Sequence, residues 1–266
     1  MNPVRRRVET PAGTIDLYQV GDGAEPVLML HASGTGAGSL LALAGLLASP
    51  DRTLLVPFFD GYGATRVAGA TGRDRHLAVI RDLLATLPGP PRVFGHSMGG
   101  FMAMLAAAGG ASFRSLVVVE PVALGVLAHD PADCDILAID RRAVAAIAPR
   151  MAAGDPEGAI REFISLWNGM DWDRIPEKVR AGILALAPAI LADTSAVSFD
   201  ETPAAYYAAI ACPVRLVGTE HGPVPAAATL RRLGEALPGA GRATVAGAGH
   251  MGPVQRPDLF AGLAIL

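Results

Sequence analysis

The sequence is poor in cysteine. Cys134 and Cys212 are the only two among 266 residues. Neither belongs to a Cys-x-x-Cys pair, and no spacing of cysteine and histidine resembles a zinc site. We therefore predict no metal site, and we expect two thiols that are buried or half-buried in a reducing cytosol.

Charged and aromatic side chains are also scarce. Charged residues make up 18% of the chain, aromatic residues 5%, and the formal net charge is −3. A basic stripe interleaved with aromatic residues, which is typical of nucleic-acid binding, is absent. The triplet Arg5-Arg6-Arg7 is expected to be a solvated strand end. Nucleic acid is therefore not an expected partner.

Long hydrophobic runs are missing as well. The apolar stretches at 40–48 and 181–192 are shorter than the roughly 20 residues of a membrane helix, and Pro188 interrupts the second. The first residues lack the apolar core of a signal peptide. We expect a cytoplasmic protein that acts on a small molecule, without a membrane partner.

Apolar residues, by contrast, make up 51% of the chain, with 31 glycines and 21 prolines. This composition is typical of a globular protein with a large core. The length suits one α/β domain with a modest inserted subdomain.

Strand-like and helix-like patterns alternate along the chain. Eight strands are predicted, at 4–9, 14–20, 26–30, 53–56, 91–94, 115–119, 214–217 and 242–246. Helices are predicted at 38–48, 74–87, 101–108, 226–237 and 257–266. Between 124 and 210 the patterns are helical, without a convincing strand. The order predicts an α/β fold with an inserted helical block.

The most informative motif is Gly95-His96-Ser97-Met98-Gly99, between a predicted strand and a predicted helix. A serine between glycines at such a junction matches the G-x-S-x-G nucleophile elbow. The turn holds the hydroxyl clear of the sheet, and glycines avoid collisions of Cβ atoms in so tight a bend. A glycine-rich turn with an incidental serine is the alternative.

His250 is the candidate base for Ser97. It follows the last predicted strand in Gly249-His250-Met251-Gly252-Pro253 and precedes the last helix. A histidine there lies at the carboxyl edge of a parallel sheet, where the elbow also lies. His31, at a strand end, is interpreted as structural, and His96 is expected to point away from the reaction.

Taken together, these residues resemble the α/β-hydrolase superfamily over nearly the whole chain. The matching segments are HASG at 31–34, DGYG at 60–63, GHSMGG at 95–100 and GHMGP at 249–253, followed by Pro257 and Phe260. The resemblance implies an eight-stranded, mostly parallel sheet with helices on both faces and an inserted helical cap. The core would span 1–123 and 211–266, and the cap 124–210.

The resemblance also implies where an oxyanion would bind. Relatives use a backbone N–H from the loop after the third strand and another from the residue after the nucleophile. These positions correspond to Ser33 and Met98. The glycine-rich run at 34–38 does not match the G-x-G-x-x-G spacing of dinucleotide sites, because Ser39 stands at the third glycine position. No cofactor is expected.

The orienting acid departs from the commonest pattern. Most relatives have aspartate three residues after the glycine of strand seven, and counting from Gly218 that position is His221. Two carboxylates remain as candidates: Glu120, at the end of strand six, and Glu220. Some members of the superfamily, certain haloalkane dehalogenases among them, place their acid after strand six. Glu120 is preferred, with Glu220 as the alternative.

The substrate pocket is expected under the cap. Trp167, Met170 and Trp172 are the candidate lining residues, and plain packing of the cap is the alternative for each. Specificity in this fold depends on cap and loops, so the sequence does not name the substrate.

The predicted activity is that of a serine hydrolase, carboxylesterase-like, acting on a small, largely apolar ester, thioester, lactone or amide. A carbon–carbon bond hydrolase, a cofactor-free haloperoxidase-like enzyme and a non-hydrolytic lyase or cyclase are the alternatives on the same fold. Dehalogenation is disfavoured because its nucleophile is an aspartate. A pure binding protein would not require the Ser97 and His250 pair.

Overall fold

A computed structural model describes residues 1–169 and 171–266 of the chain. In this part a single mixed sheet has nine strands. They are β1 (Val4–Thr10), β2 (Gly13–Val20), β3 (Glu25–Leu30), β4 (Arg52–Pro57), β5 (Arg66–Val67), β6 (Arg92–His96), β7 (Ser115–Val119), β8 (Val214–His221) and β9 (Gly241–Gly249). The eight predicted strands are all present. The prediction missed β5, a two-residue strand too short to show any periodicity.

The strand order is β1-β2-β4-β3-β6-β7-β8-β9, with β5 paired only to β2. Strands β1, β2 and β5 form antiparallel pairs, and every pair from β4–β3 onward is parallel. The carboxyl ends of β3, β6, β7, β8 and β9 therefore lie at one edge of the sheet. In open sheets of this kind, ligands bind at that edge.

Helices cover both faces of the sheet. They are α1 (Leu41–Leu47), α2 (Asp74–Thr86), α3 (Met98–Ala108), α8 (Val224–Ala236) and α9 (Gly252–Gln255). One apolar cluster joins α2, α3 and α8 to one face, for example through Val79, Phe101 and Leu233. Another joins α1 and the chain end to the opposite face through Leu43 and Phe260. Burial on both faces explains the continuous apolar runs of the central strands.

Two predicted helices have different bounds in the structure. The last helix does not run through 257–266: α9 ends at Gln255, and only a 3₁₀ turn at Pro257–Leu259 follows. Pro257 disfavours a helical conformation at Arg256, whose φ is −135° and ψ is 59°. The helix predicted at 38–48 divides into a 3₁₀ turn, Ala37–Leu40, and α1.

The chain between β7 and β8 is helical in its described part. It contains α4 (Pro131–Ala152), α5 (Pro156–Asn168), α6 (Glu177–Ala185) and α7 (Ala187–Ser198), with short 3₁₀ turns. Asp130 and Asp155 accept hydrogen bonds from the first turns of α4 and α5, which explains where these helices begin. We call residues 124–210 the helical segment.

Ion pairs between partly exposed arginines and buried aspartates attach the helical segment to the sheet domain. Asp133 of α4 accepts from Arg231 and Arg232 of α8, both at 2.6 Å. Burial alone would raise the pKa of Asp133, but the hydrogen bonds and charges of these two arginines hold it below its usual range. Near the other end of the segment, Arg73 pairs with Asp200.

The two cysteines differ in exposure. Cys212 is half-buried, as expected, and burial raises the pKa of its thiol. The expectation was wrong for Cys134, which is exposed because it lies on the outer face of α4.

Within the described residues, no single helix combines the length and apolar character needed to cross a membrane, although the bent pair α6 and α7 passes that test together.

Candidate active site

Ser97 lies in the tight turn between β6 and α3. Its φ of 53° and ψ of −117° are far from the usual conformations of a side-chain-bearing residue. The turn requires its glycines: a Cβ atom at Gly95 would lie 2.6 Å from Gly100 Cα, and one at Gly99 only 2.3 Å from the Leu30 carbonyl oxygen. The Ser97 N–H donates to the Val119 carbonyl at 2.9 Å. The backbone is thus held in a strained form that presents the hydroxyl at the sheet edge.

His250 lies directly after β9 and faces Ser97. Its Nε2 is 3.1 Å from Ser97 Oγ, and its Nδ1 is 2.8 Å from Glu120 Oε2. All three side chains are nearly inaccessible to solvent. With Nδ1–H donating to the carboxylate, Nε2 is free to accept the hydroxyl proton. His250 thus forms hydrogen bonds with two residues that are each more than 100 positions away from it in the sequence.

Glu120 follows β7 and has a φ of 42°. Ser97 and Glu120 are the only residues other than glycine with positive φ in the described part of the chain. The second oxygen of Glu120 accepts from the Thr219 N–H at 2.8 Å and from the Thr219 hydroxyl at 2.5 Å. A Cβ atom at Gly222 would lie 2.2 Å from that oxygen. These contacts satisfy the buried carboxylate and fix its direction.

Glu220, the alternative acid, lies away from His250. Its side chain is about half exposed and accepts from the Gly247 N–H at 2.7 Å. His221 is exposed next to it. Strand β8 has a register irregularity between Thr219 and His221, so the side chain directed to the carboxylate site is Thr219. Of the two candidate carboxylates, the structure brings only Glu120 to His250.

The two candidate oxyanion donors flank Ser97 at the edge of one cavity. Met98 is the first residue of α3, and Ser33 lies in the loop after β3. Among the described residues, no acceptor for the backbone N–H of Ser33 or Met98 is found. The adjacent Gly34 N–H, in contrast, donates to the Tyr62 hydroxyl at 2.8 Å. Two backbone donors are thus left for an oxyanion.

The model of the alpha/beta hydrolase family matches residues 27–263. The chain belongs to the α/β-hydrolase family. This confirms the resemblance and the fold class predicted from the sequence motifs. No curated protein matches the chain.

Solved α/β-hydrolase structures share the fold over nearly their whole length. An alpha/beta hydrolase from Sphaerobacter thermophilus is 23% identical, with a TM-score of 0.71 and coverage of 97% of this chain and 98% of the other. A thermophilic esterase from Thermogutta terrifontis is 19% identical, with a TM-score of 0.74 and coverage of 97% and 96%. A serine hydrolase involved in carbazole degradation is 16% identical, with a TM-score of 0.71 and coverage of 98% and 96%.

A cavity of about 520 Å³ opens onto Ser97 of this α/β hydrolase, between the sheet edge and the helical segment. Trp167 lines it, as predicted, and the ring centroid of Trp167 is 5.0 Å from that of His250. Trp172 was wrongly assigned to the cavity wall. It packs in a small core of the helical segment, and its Nε1–H donates to Glu157 at 2.8 Å. Met170 lies outside the described residues.

The structure shows a buried polar cluster beside the site that was not predicted from the sequence. Asp193 of α7 is fully buried and accepts from Tyr62 at 2.6 Å, from Ser33 at 2.9 Å and from His76 at 2.9 Å. Arg75 completes the cluster. Burial alone would raise the pKa of Asp193, but these hydrogen bonds and charges hold it below the usual range. The cluster ties the loop of Ser33 to the helical segment.

Tyr62 belongs to the DGYG segment, which is one of the motifs that resemble the family, so this member of the cluster could be singled out from the sequence. Asp193 belongs to no such motif, and 160 residues separate it from Ser33. His76 likewise had no recognisable context in the sequence.

No group of three or more His, Cys, Asp or Glu side chains in the described chain is arranged to hold a metal ion.

Two other histidines support the site as neutral, buried rings. His31 donates from Nδ1 to the Ala32 carbonyl at 2.7 Å, and its Nε2 accepts from the Phe59 N–H at 3.2 Å. His96 donates from Nε2 to the His250 carbonyl at 2.8 Å and so helps to fix the backbone of His250. Burial lowers the pKa of His31 to about 4 and that of His96 to about 3.

These shifts predict a loss of stability in acid. In the unfolded chain both histidines bind a proton near pH 6.5, whereas in the folded state they stay neutral down to about pH 4 and 3. Between those limits the unfolded state binds more protons, so the free energy of unfolding falls as pH falls, by about 1.4 kcal/mol per pH unit for each histidine. Urea denaturation at pH 7, 6, 5 and 4 measures the slope.

The matched variants are His31→Gln and His129→Gln. His31→Gln removes a buried histidine and should flatten the slope between pH 6 and 4, whereas exposed His129 should not affect it. Equal slopes in the two variants would show that His31 does not resist protonation in the folded state.

Proposed function

We propose that this α/β hydrolase is a serine hydrolase that cleaves a small, largely apolar ester, thioester, lactone or amide through an acyl-enzyme on Ser97. The observation that supports it best is the hydrogen-bonded chain Ser97–His250–Glu120 at the mouth of the cavity. Family membership supports a hydrolase, and the serine ester chemistry is the proposal. The esterase and the serine hydrolase among the similar structures share less than 25% identity and support the fold only.

The reaction begins when Ser97 Oγ attacks the substrate carbonyl carbon and its proton passes to His250 Nε2. The carbonyl oxygen becomes an oxyanion, which the backbone N–H groups of Ser33 and Met98 stabilise. The imidazolium that forms is stabilised by Glu120 through Nδ1–H. Collapse of the tetrahedral intermediate breaks the bond to the leaving group, which takes the proton from His250, and leaves an acyl ester on Ser97.

Water then completes the cycle. His250, neutral again, takes a proton from a water molecule that attacks the acyl carbon, and the same N–H groups stabilise the second oxyanion. The proton returns from His250 to Ser97 Oγ as the acid product leaves. The apolar wall of the cavity, which includes Trp167, Phe163 and Ile183, favours apolar substituents on the substrate.

A fluorophosphonate probe tests the nucleophile directly. The probe is expected to label the folded wild-type protein at Ser97, because only an activated serine attacks phosphorus rapidly. Ser97→Ala should lose the label, whereas Ser165→Ala, which changes an exposed serine of α5, should keep it. Peptide mapping identifies the labelled residue.

A wild-type protein that is not labelled would contradict the serine mechanism and favour a lyase or cyclase. Labelling without hydrolysis of any member of a panel of esters, thioesters, lactones and amides would contradict the substrate class and direct attention to carbon–carbon hydrolysis or haloperoxidase-like chemistry. The cytoplasmic location and the small-molecule partner stay predictions from the sequence.

A further inference from the structure

Asp140 of α4 is a buried carboxyl group that the proposed mechanism does not use. It lines the cavity of Ser97, and its side chain is only 1% exposed. Its Oδ1 accepts a hydrogen bond from Trp167 Nε1–H at 2.8 Å. Its Oδ2 has no hydrogen-bond partner among the described residues. One carboxyl oxygen of Asp140 is therefore hydrogen-bonded within the protein, and the other has no hydrogen-bond partner there.

Asp140 is linked to the reacting centre through one residue. Trp167 connects the two sites, since the indole donates to Asp140 and packs against the ring of His250. Burial raises the pKa of Asp140, and Ser198 of α7, which also lines the cavity, acts against that rise. The Ser198 hydroxyl makes no hydrogen bond of ordinary geometry to Oδ2. We call Asp140 and Ser198 the polar corner. The rest of the wall around Trp167 is largely apolar.

The hydrogen bond from Trp167 does not by itself explain why position 140 has a carboxyl group. One acceptor atom satisfies the indole N–H, and the amide oxygen of asparagine would do the same without a leftover acid. A buried oxygen without a partner costs free energy. The neighbouring Arg141 acts on Asp140 through its charge but does not donate a hydrogen bond to Oδ2. Its Nε donates to the Ser198 carbonyl at 3.0 Å, and its Nη2 lies 3.6 Å from Glu201 Oε1. Such a cost is offset when a ligand supplies the partner.

We propose that Asp140 is a specificity-determining residue that binds a hydroxyl group of the substrate through Oδ2, with Ser198 beside it. The substrate class is thereby narrowed to hydroxylated, otherwise apolar acyl compounds. This inference rests on the proposed function and deepens it.

A hydroxyl group fits the polar corner better than a charged group. It donates to Asp140 when the acid is ionised and accepts from it when the acid is protonated, so it is satisfied in both states. Burial raises the pKa of Asp140 and so favours the protonated acid more than in a free aspartate. An ammonium group would place a second charge in an apolar cavity at a large cost of desolvation, and a carboxylate would be repelled.

The test compares esters that differ only by a hydroxyl or a methyl group at one end. One series places the group on the acyl side, as in the nitrophenyl esters of 6-hydroxyhexanoate and heptanoate, and continues to longer chains. A second series places it on the alcohol side. In at least one pair the wild-type protein should favour the hydroxylated ester in kcat/KM by about tenfold or more, because a site that hydrogen-bonds a hydroxyl rejects the analogue without it.

The variants separate this role from a structural one. Asp140→Leu should reverse the preference and favour the methyl ester, Ser198→Ala should reduce it, and Asp140→Asn should keep part of it. Thermal unfolding should show Asp140→Asn as stable as the wild type or more so. Asp135→Asn, which removes an exposed carboxylate from the same helix, should leave both rates unchanged.

Equal rates within every wild-type pair, or a hydroxyl preference that survives in Asp140→Leu, would overturn the proposal. Calorimetry measures the affinity of the same esters for Ser97→Ala, which cannot turn them over. It therefore tests the role of Asp140 separately from the serine mechanism. A hydroxyl preference in binding, without labelling or turnover in the wild type, would overturn the serine mechanism alone. Labelling and turnover without any hydroxyl preference would overturn the role of Asp140 alone.

Discussion

Replacement of Glu120 by glutamine is expected to lower kcat by about ten-thousand-fold, with little change in the fold. Glu120 Oε1 accepts two hydrogen bonds from Thr219. The amide oxygen of glutamine would take that place, which turns the NH₂ group toward His250. Nδ1 would then have to accept, and the proton would move to Nε2. An imidazole protonated at Nε2 cannot take the proton of Ser97, so the nucleophile would stay inactive.

Steady-state kinetics on the best ester of the panel measures this effect, and circular dichroism checks the fold. Glu220→Gln is the matched control, because it makes the same chemical change at an exposed carboxylate that is bonded to the Gly247 N–H. We expect it to keep nearly full activity. Full activity in Glu120→Gln together with its loss in Glu220→Gln would contradict the assignment of the acid.

Replacement of Asp193 by asparagine is expected to lower both stability and kcat. The aspartate neutralises the charge of Arg75 and accepts hydrogen bonds from His76, Tyr62 and Ser33. Removing one partner from a buried ion pair costs about 3–5 kcal/mol, because the remaining charge loses its compensation. The loop of Ser33 would also lose its link to α7, so the oxyanion donor would be less well positioned. A kcat reduced by about 100-fold corresponds to the loss of one such donor.

Urea denaturation gives the change in the free energy of unfolding, and kinetics well below the melting temperature gives kcat of the folded fraction. Ser195→Ala, at an exposed position of the same helix, is the control. A purely structural role of Asp193 would lower the stability and leave kcat of the folded protein intact. An unchanged stability would contradict the role of the cluster itself.

Much of the fold could be predicted because its signals are local. The apolar run of β7 and the alternation of strands and helices depend on neighbouring residues, and the family match confirms the fold that they predicted. The turn at Ser97 is local too, since Gly95 and Gly99 are required by contacts of the same turn and the adjacent strand. The errors arose where local signals were weak, as in two-residue β5 and in the chain end after Pro257.

The wall of the cavity was harder to predict, for a reason seen in its two tryptophans. Trp167 and Trp172 are five positions apart and equally apolar, yet one faces His250 and the other a core of the helical segment. Trp167 lies in α5 and Trp172 in the 3₁₀ turn that follows, so the direction of each depends on how the helical segment packs. The burial of Asp140 and Asp193 could not be predicted, because nothing in the neighbouring sequence distinguishes a buried aspartate from an exposed one.

The sequence by itself determined the α/β class, the family and the pair Ser97 and His250 as candidates, because glycine spacing and strand patterns encode backbone conformation within short stretches of chain. Only the tertiary structure decided between Glu120 and Glu220 as the neighbour of His250, and only it placed Asp193 and Asp140 beside the site. Those relations depend on distances between residues that lie far apart in the sequence. They arise when the sheet edge and the helical segment pack together, and no local pattern records them.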